Sequence, residues 1–301
     1  MTEILLAAFN GARYIREQLD SILRQTYTGW HLTAADDGST DGTYEILCEY
    51  ADRYPDKIAV IRNSPGTGSA KANFMSLIRG CDADVIAFSD QDDVWHEDKL
   101  KACVELESDS PCLIHTDAVV VNSDLTVKAP SFMRYQGLDP SADTLNRLLA
   151  QNNVTGCTMA MNRPLAELMK RADPDDMLMH DWWAALLAAS FGKIVFLPDR
   201  TVSYRQHGDN TLGAVNNRTA KGIARIVSDT DGVKARLGAT FAQAQAFLDT
   251  YGDMLPDDRR LIIEGYLAIP KMGKLSRMAH LLKGGYTKQN LMSGIGQMIY
   301  C

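Results

Sequence analysis

Across the first ninety residues, short apolar runs alternate with amphipathic helical runs, and few folds accommodate that order. Glu3–Phe9 reads as a buried strand, and Ala12–Gln25 places Ile15, Leu19, Ile22 and Leu23 on one helical face. Leu32–Ala35, Ile58–Ile61 and Val85–Ser89 read as further strands. Helices over Thr43–Tyr54, ended by Pro55, and from Lys71 to Arg79 lie between them. Strands joined by single helices connect in parallel β-α-β units, which predicts a doubly wound, mostly parallel α/β sheet with helices on both faces. Ligands in such sheets bind at the carboxyl ends of the strands. Three of those ends carry polar text: "NG" after Phe9, "DDGSTDG" from Asp36 and "SDQDD" from Ser89.

The last of these is costly. Val85–Phe88 runs straight into Asp90, Asp92 and Asp93. Clustered carboxylates repel unless they are solvated, protonated or neutralised by a cation. A plain polar turn before a helix near His96 also fits this window.

Farther on, "CLIHTDAVVVNSDLTV" alternates as strand and hairpin, and "NVTGCTMAMN" reads as a strand opened by Gly156. A helix is expected from Asp181 to Gly192. Two short strands flanking Pro198 are expected in "KIVFLPDRTVSYRQH". From about Leu212 the text turns helical, which divides the chain into residues 1–211 and a helical C-terminal extension, residues 212–301.

At net charge −7 the chain is not expected to bind nucleic acid in general. The charge is uneven. Residues 215–301 hold twelve Lys/Arg against seven Asp/Glu, so the basic excess lies wholly in the extension. The six cysteines form no C-x-x-C pair, which suggests neither a zinc site nor a disulfide framework and fits a reducing cytoplasm. "MTEILLAAFNG" lacks the basic flank of a signal peptide, and no run reaches the roughly 20 apolar residues of a membrane span.

Two motifs fail on inspection. "DDGSTDGTYEILC" starts like an EF-hand loop, but Cys48 stands where the bidentate Glu is required. "GTGSAK" starts like a dinucleotide fingerprint, but Lys71 replaces its third glycine.

In contrast, "AAFNGARYIREQLDSILRQTY", "ADDGSTDGT", "FSDQDDVW", "GCTMAM" and "HDWW" follow one another in an order and spacing that resembles the inverting family 2 glycosyltransferases of GT-A fold. "SDQDDVW" and "YRQH" are most similar to the bacterial rhamnosyltransferase-type branch. The resemblance covers about residues 2–210. It implies transfer of a sugar such as rhamnose from a dTDP- or UDP-linked donor to a glycan acceptor, in bacterial surface polysaccharide synthesis. The departing diphosphate needs its charge offset, which a divalent ion does as a Lewis acid. Mn²⁺ or Mg²⁺ keeps several waters, so one or two protein carboxylates suffice.

By the resemblance Asp92 is the metal ligand, Asp90 contacts ribose or metal, and His207 is a third ligand or a structural histidine. Asp93 is read as a cap of the next turn. Asp37 maps to the position that hydrogen-bonds the pyrimidine base, with an Asx-turn or helix cap by Asp36, Asp37 or Ser39 as the alternative. Phe9 and Asn10 fall where base and ribose lie. Lys71, Asn73 and Arg205 reach the base or phosphates, with a solvated helix start open for Lys71. Asp181 matches the family's acidic base, which takes the acceptor proton; a helix-terminal cap is its alternative. Gly156, Trp182 and Trp183 are read as acceptor- or sugar-binding. His180 departs from the commoner Glu at its position.

In the extension, Val233, Leu237, Phe241, Ala244 and Leu248 recur at helical spacing, as a helix packed on the body or on a second subunit would show. Lys271, Lys274, Arg277, Lys283 and Lys288 intersperse with Leu275, Met278, Leu281 and Leu282. That pattern suits a membrane surface, and hence a lipid-linked acceptor on the cytoplasmic face, or equally a homodimer. A nucleotidyltransferase is disfavoured because "NGARYIREQ" lacks its Gly-rich basic signature. A non-catalytic sugar-nucleotide or carbohydrate-binding module would lack the base or the Asp-x-Asp pair, and both are present.

Overall fold

The structure, a computed structural model, describes residues 1–104, 106, 109–208, 230–289, 294 and 296–298. The boundary expected between residues 211 and 212 lies outside the described residues. The expected alternation is present: β1 (Thr2–Ala8), α1 (Ile15–Leu23), β2 (Trp30–Asp36), α2 (Thr43–Arg53), β3 (Ile58–Arg62), α3 (Ala70–Arg79) and β4 (Val85–Asp90). There follow β5 (Val94–Trp95), α4 (Lys99–Cys103), β6 (Cys112–Asn122), β7 (Val127–Ala129), α5 (Phe132–Gln136), α6 (Leu145–Ala150) and β8 (Met159–Asn162). The chain continues through α7 (Arg163–Met169), α8 (His180–Phe191) and β9 (Lys193–Gln206) to α9 (Thr230–Tyr251), α10 (Asp257–Ala268) and α11 (Lys274–Gly284).

The strands form one sheet in the order β3-β2-β1-β4-β8-β6-β9-β5, with β7 on β6. The pairs among β3, β2, β1 and β4 are parallel. β8 runs antiparallel between β4 and β6, so the sheet is mixed on that side. The chain steps from β1 to β2 in one direction and returns to β4 on the other side of β1, which makes the β1–β4 junction the switch point of the winding. A crevice opens at the carboxyl end of such a junction. Register decides what stands there: Ala7 lies opposite Asp90, and Ala8 lies opposite Asp36.

Alternating side chains of the central strands enter opposite cores. Leu5, Ile86 and Phe88 join α3, α8 and the C-terminal helices on one face. Ile4, Leu6, Val85 and Ala87 join α1 and the aromatic residues Trp30 and Trp95 on the other. Both faces are covered, which is why these strands read as continuous apolar runs.

β9 is a single strand where two were expected, because β6 runs on beside it. The register skips between Leu197, paired with Thr116, and Arg200, paired with Asp117, so the irregularity at Pro198 is absorbed as a bulge. The apolar stripe of α9 faces the body. Val233, Leu237 and Ala244 are buried in the α3/α8 core, with Phe241 and Leu248 packed against it. Burying a side chain such as Leu237 or Phe247 is worth about 1.5–3 kcal/mol, enough for a few of them to hold the helix without a second subunit. No helix among the described residues is long and apolar enough to cross a membrane.

Candidate active site

The crevice is a cleft of about 1120 Å³ above the carboxyl ends of β1 and β4. Phe9, Asp37, Asp90, Asp92, Gly156, Asp181 and Trp182 all line it. Seven residues from five separate stretches of sequence therefore meet at one place. Asn10, Lys71, Asn73, Trp183, Arg205 and His207 are not on its wall.

The loop after β2 is tied to the end of β1. Asn10 N–H donates to Ser39 Oγ at 2.9 Å, Gly11 N–H to Thr43 Oγ1 at 2.8 Å, and Thr40 N–H to Asn10 Oδ1 at 3.0 Å. Asn10 thus serves the loop and does not face the cleft. Asp36, not Asp37, makes the Asx-turn, accepting from Gly38 and Ser39 N–H. That leaves the Asp37 carboxylate for the loop after β3. It accepts from Thr67 N–H at 2.6 Å, Thr67 Oγ1 at 3.0 Å, Gly68 N–H at 3.0 Å and Asn63 Nδ2 at 3.1 Å.

Two neighbouring expectations need correction. Asn73 is buried, donating to the Ala35 carbonyl and accepting from Asn63, so it braces β2 and reaches no ligand from there. Lys71 neither points into the cleft nor starts a solvated helix. Its Nζ donates to the Met177 carbonyl at 2.8 Å and ties α3 to the segment before α8.

Around β4 the acids divide. Asp90 and Asp92 face the cleft, and Asp92 Oδ2 lies 2.6 Å from His207 Nε2. Asp93 turns inward, with Oδ1 accepting from Arg205 N–H at 2.9 Å and Oδ2 buried without a partner. Lys99, wholly buried, stands in the same interior. Its ammonium donates to the Cys157 carbonyl at 2.8 Å and lies 4.6 Å from the Trp95 ring. Burial and then the Asp93 and Asp92 charges push the Asp90 carboxyl well above the usual carboxylate range, with Lys99 offsetting part of this. Burial, followed by Asp92, pushes Asp93 up to about 7.

Asp90, Asp93 and Cys157 present ligand atoms within 4.8 Å of one another. Crowded, under-neutralised carboxylates with an orphaned oxygen fit a hard divalent cation. Burial holds the Cys157 thiol well above its ordinary range, so it stays protonated and is a poor ligand for such an ion. Of the acids here, Asp90 and Asp92 face the cleft, whereas the orphaned oxygen belongs to the inward-turned Asp93.

Arg205 requires the plainest correction, because it cannot offer its charge to a phosphate from where it lies. It is 1% exposed. Its Nε donates to the Asp92 carbonyl and Nη1 to the Ser123 carbonyl, both at 2.7 Å, and Nη2 to Glu17 Oε2. The guanidinium instead fixes the turn that carries the acids.

On the opposite wall, α8 begins at His180. Asp181 Oδ1 accepts from Asn152 Nδ2 at 3.1 Å and Oδ2 from Gly156 N–H at 2.9 Å. Burial raises its carboxyl to about 6, with these bonds holding it down. Gly156 has no room for a side chain: a Cβ there would meet His180 Nε2 at 2.9 Å. His180 packs its ring 4.2 Å from that of Phe74, and burial pulls it down to about 3, so it stays neutral. Trp182 lines the cleft with Nε1 donating to the Leu148 carbonyl at 2.7 Å. Trp183 is fully buried against Phe247 and Tyr251, so it is a core residue and not a sugar platform.

Sequence reasoning missed Asn152, Lys99, Thr67 and Gln91. The last brackets the Phe9 main chain, donating to its carbonyl at 2.9 Å and accepting from its N–H at 2.8 Å. No local pattern marks these residues, whose partners lie between 29 and 82 positions away.

The switch-point cleft thus carries strand-end carboxylates on one wall and a helix-terminal carboxylate on the other. The glycosyl transferase family 2 model matches residues 3–169, more than half of the chain, and the chain belongs to that family. It is a glycosyltransferase. It is 30% identical over 219 residues to the dTDP-rhamnosyl transferase RfbG of Shigella flexneri, covering 69% of this chain and 74% of that protein. It is 26% identical over 167 residues to the UDP-Glc:α-D-GlcNAc-diphosphoundecaprenol β-1,3-glucosyltransferase WfgD of Escherichia coli, covering 55% and 61% respectively. Among solved structures, S. aureus TarS 1–349 in complex with UDP superposes with a TM-score of 0.57 at 14% identity, covering 91% of this chain and 73% of that one. That likeness shows the GT-A fold.

Proposed function

We propose that the chain transfers a sugar, with rhamnose the favoured one, from a dTDP- or UDP-linked donor to a glycan hydroxyl with inversion, in surface polysaccharide synthesis. The observation that carries this reading is the placement of Asp181 on the same cleft as Asp37, Asp90 and Asp92. The similarity to RfbG supports the choice of sugar. In this reading the nucleoside end of the donor lies toward Phe9 and Asp37, and its base displaces part of the Thr67–Gly68 bonding on that carboxylate. Asp90 and Asp92 hold Mg²⁺ or Mn²⁺, which when bound offsets charge on the departing diphosphate. Asp181 takes the proton of the acceptor hydroxyl as that oxygen bonds to the anomeric carbon and the bond to the nucleoside diphosphate breaks. Trp182 offers a face to the acceptor sugar.

The extension fits a lipid-linked acceptor. On α11, Leu275 and Leu282 are 84% and 58% exposed, and they stand two turns apart beside exposed Lys274 and Lys283. We read this outer face as a membrane-surface contact. Leu281, expected to share in it, is buried in the core and cannot insert. Flotation with anionic vesicles at low salt, lost at high salt, is the expected result; no flotation at low salt ends the membrane reading.

The function itself is tested with a panel of sugar nucleotides, scored for metal-dependent thermal stabilisation and hydrolysis. Asp92→Ala should lose both while keeping its circular dichroism spectrum. Wild-type turnover by that variant after chelation and metal add-back would sink the assignment.

A further inference from the structure

The interior behind β4 holds a charge that the proposed transfer does not use. Lys99 opens α4 and is fully buried, although an ammonium is costly to take out of water. Its Nζ donates to the Cys157 carbonyl at 2.8 Å and lies 4.6 Å from the centre of the Trp95 ring. Among the described residues no carboxylate forms an ion pair with it. A neutral carbonyl and an aromatic face hold the ammonium in place without cancelling its charge. Arg205, also buried beside this turn, is by contrast matched by Glu17.

The surroundings of Lys99 are acidic. Cys157, whose carbonyl anchors it, also presents its thiol within 4.8 Å of ligand atoms of Asp90 and Asp93. Lys99 acts through space on both carboxyls, against the burial that raises them. Asp93 nonetheless keeps one buried oxygen without a partner, so the ammonium has not closed on it. A closed pair would cancel both charges. Held apart, Lys99 repels any cation that the same acids attract, and inside a protein such repulsion is weakly screened.

We propose that Lys99 is a fixed counter-charge that makes the acids of this turn discriminate against a bare divalent ion and in favour of the ion joined to a nucleoside diphosphate. This rests on the reading of Asp90 and Asp92 as the holders of the ion. A site of one or two carboxylates takes its remaining ligands from substrate phosphates and water. The diphosphate more than cancels the charge of the ion, so Lys99 repels the ion alone and does not repel the complex.

The test is Mn²⁺ binding to the full-length protein, read from the paramagnetic resonance of the free ion. Lys99→Gln keeps an N–H donor for the Cys157 carbonyl and removes the charge, whereas Lys99→Arg keeps the charge. Lys99→Gln should bind Mn²⁺ alone about tenfold more tightly than wild type, with Lys99→Arg within about twofold of it. Binding of the Mn²⁺–UDP complex should change by less than about twofold in either variant. Lys101→Ala, at an exposed cation on the same helix, should match wild type. Where Lys99→Gln alone does not fold, Asp93→Asn supplies a second arm, since its amide oxygen still accepts from Arg205 N–H. Asp93→Asn should weaken Mn²⁺ binding about tenfold, and adding Lys99→Gln should restore it, because one charge of each sign is then gone. Unchanged or weaker Mn²⁺ binding by Lys99→Gln, equal tightening by Lys99→Arg, equal tightening for the UDP complex, or no restoration in the double variant would each overturn the proposal. Wild-type Mn²⁺ binding that survives Asp92→Ala would instead break the reading of the acids on which it rests.

Discussion

The wall made by β1, β2 and β4 and the wall made by α6, α8 and α9 meet in one cleft, yet they place their chemistry by different means. On the first, Asp37 and Asp92 sit one and two residues beyond strand ends, and Asp90 is itself the last residue of β4. Their positions follow from the register of parallel strands buried on both faces. On the second, Asp181 depends on individual bonds from Asn152 and Gly156, 29 and 25 residues earlier. The strand wall is therefore fixed collectively, and the helix wall contact by contact. Single substitutions should remove chemistry on either wall but should tune it mainly on the helix wall.

The largest effect that sharpens this contrast is expected from Asp181→Asn. It nearly preserves shape and removes the proposed proton acceptor, so transfer should fall about 10²–10⁴-fold while donor binding survives. Loss of donor binding with turnover kept at saturation would make Asp181 a positioning residue and place the base elsewhere.

Next come two core substitutions, one behind each wall. Trp183→Ala should cost about 3–5 kcal/mol of stability. Trp182→Ala should cost less and instead raise the acceptor KM. Equal Tm losses for the two would contradict their assignment to core and cleft. Behind the strand wall, Lys99→Met strips the buried carboxylates of their nearby ammonium and should cost about 3–5 kcal/mol. The pH dependence has a definite sign. The Asp93 carboxyl titrates near 7 in the fold, above its ordinary value, so the protonated form is the one the fold favours. Stability from this group is full at low pH and is lost as pH rises toward 7. Without Lys99 that loss should deepen, so the gap in Tm between variant and wild type should widen from pH 4 to pH 8. A constant gap would show that Lys99 acts through packing alone.

The smallest predicted effect concerns pH and rate. To act as the proposed base Asp181 must be ionised, and its carboxyl is raised to about 6. The rate should therefore climb through an acid limb near pH 6. Asn152→Ala removes a hydrogen bond to the ionised form, which should move that limb upward by about half to one unit. A downward shift would mean that Asn152 does not stabilise the carboxylate.

These contrasts also explain which parts of the molecule were legible in advance. The parallel strands, the crevice at their carboxyl ends and the acids of "SDQDD" were readable because each depends on near neighbours and on short continuous apolar runs separated by helices. The same reading assigned Arg205, Lys71 and Asn73 to the ligand, and all three turn elsewhere. Long or amide-bearing side chains near a cleft reach several partners, and packing alone selects among them. Arg205 finds the Asp92 and Ser123 carbonyls and Glu17, and Lys71 finds the Met177 carbonyl.

"HDWW" shows the division most sharply. Its composition and its place ahead of an apolar run identified a helix start with an acid near its beginning, because those signals are local. Successive residues on a helix point about 100° apart, so of two adjacent tryptophans only one can face a given surface. Which one does so was settled by the docking of α9, whose Phe247 and Tyr251 enclose Trp183 and leave Trp182 to the cleft. The sequence by itself determined the winding of the sheet and the acidic character of its strand ends. The tertiary structure decided which side chains that chemistry reaches, because helix phase and long-range hydrogen bonds exist only once the elements have packed.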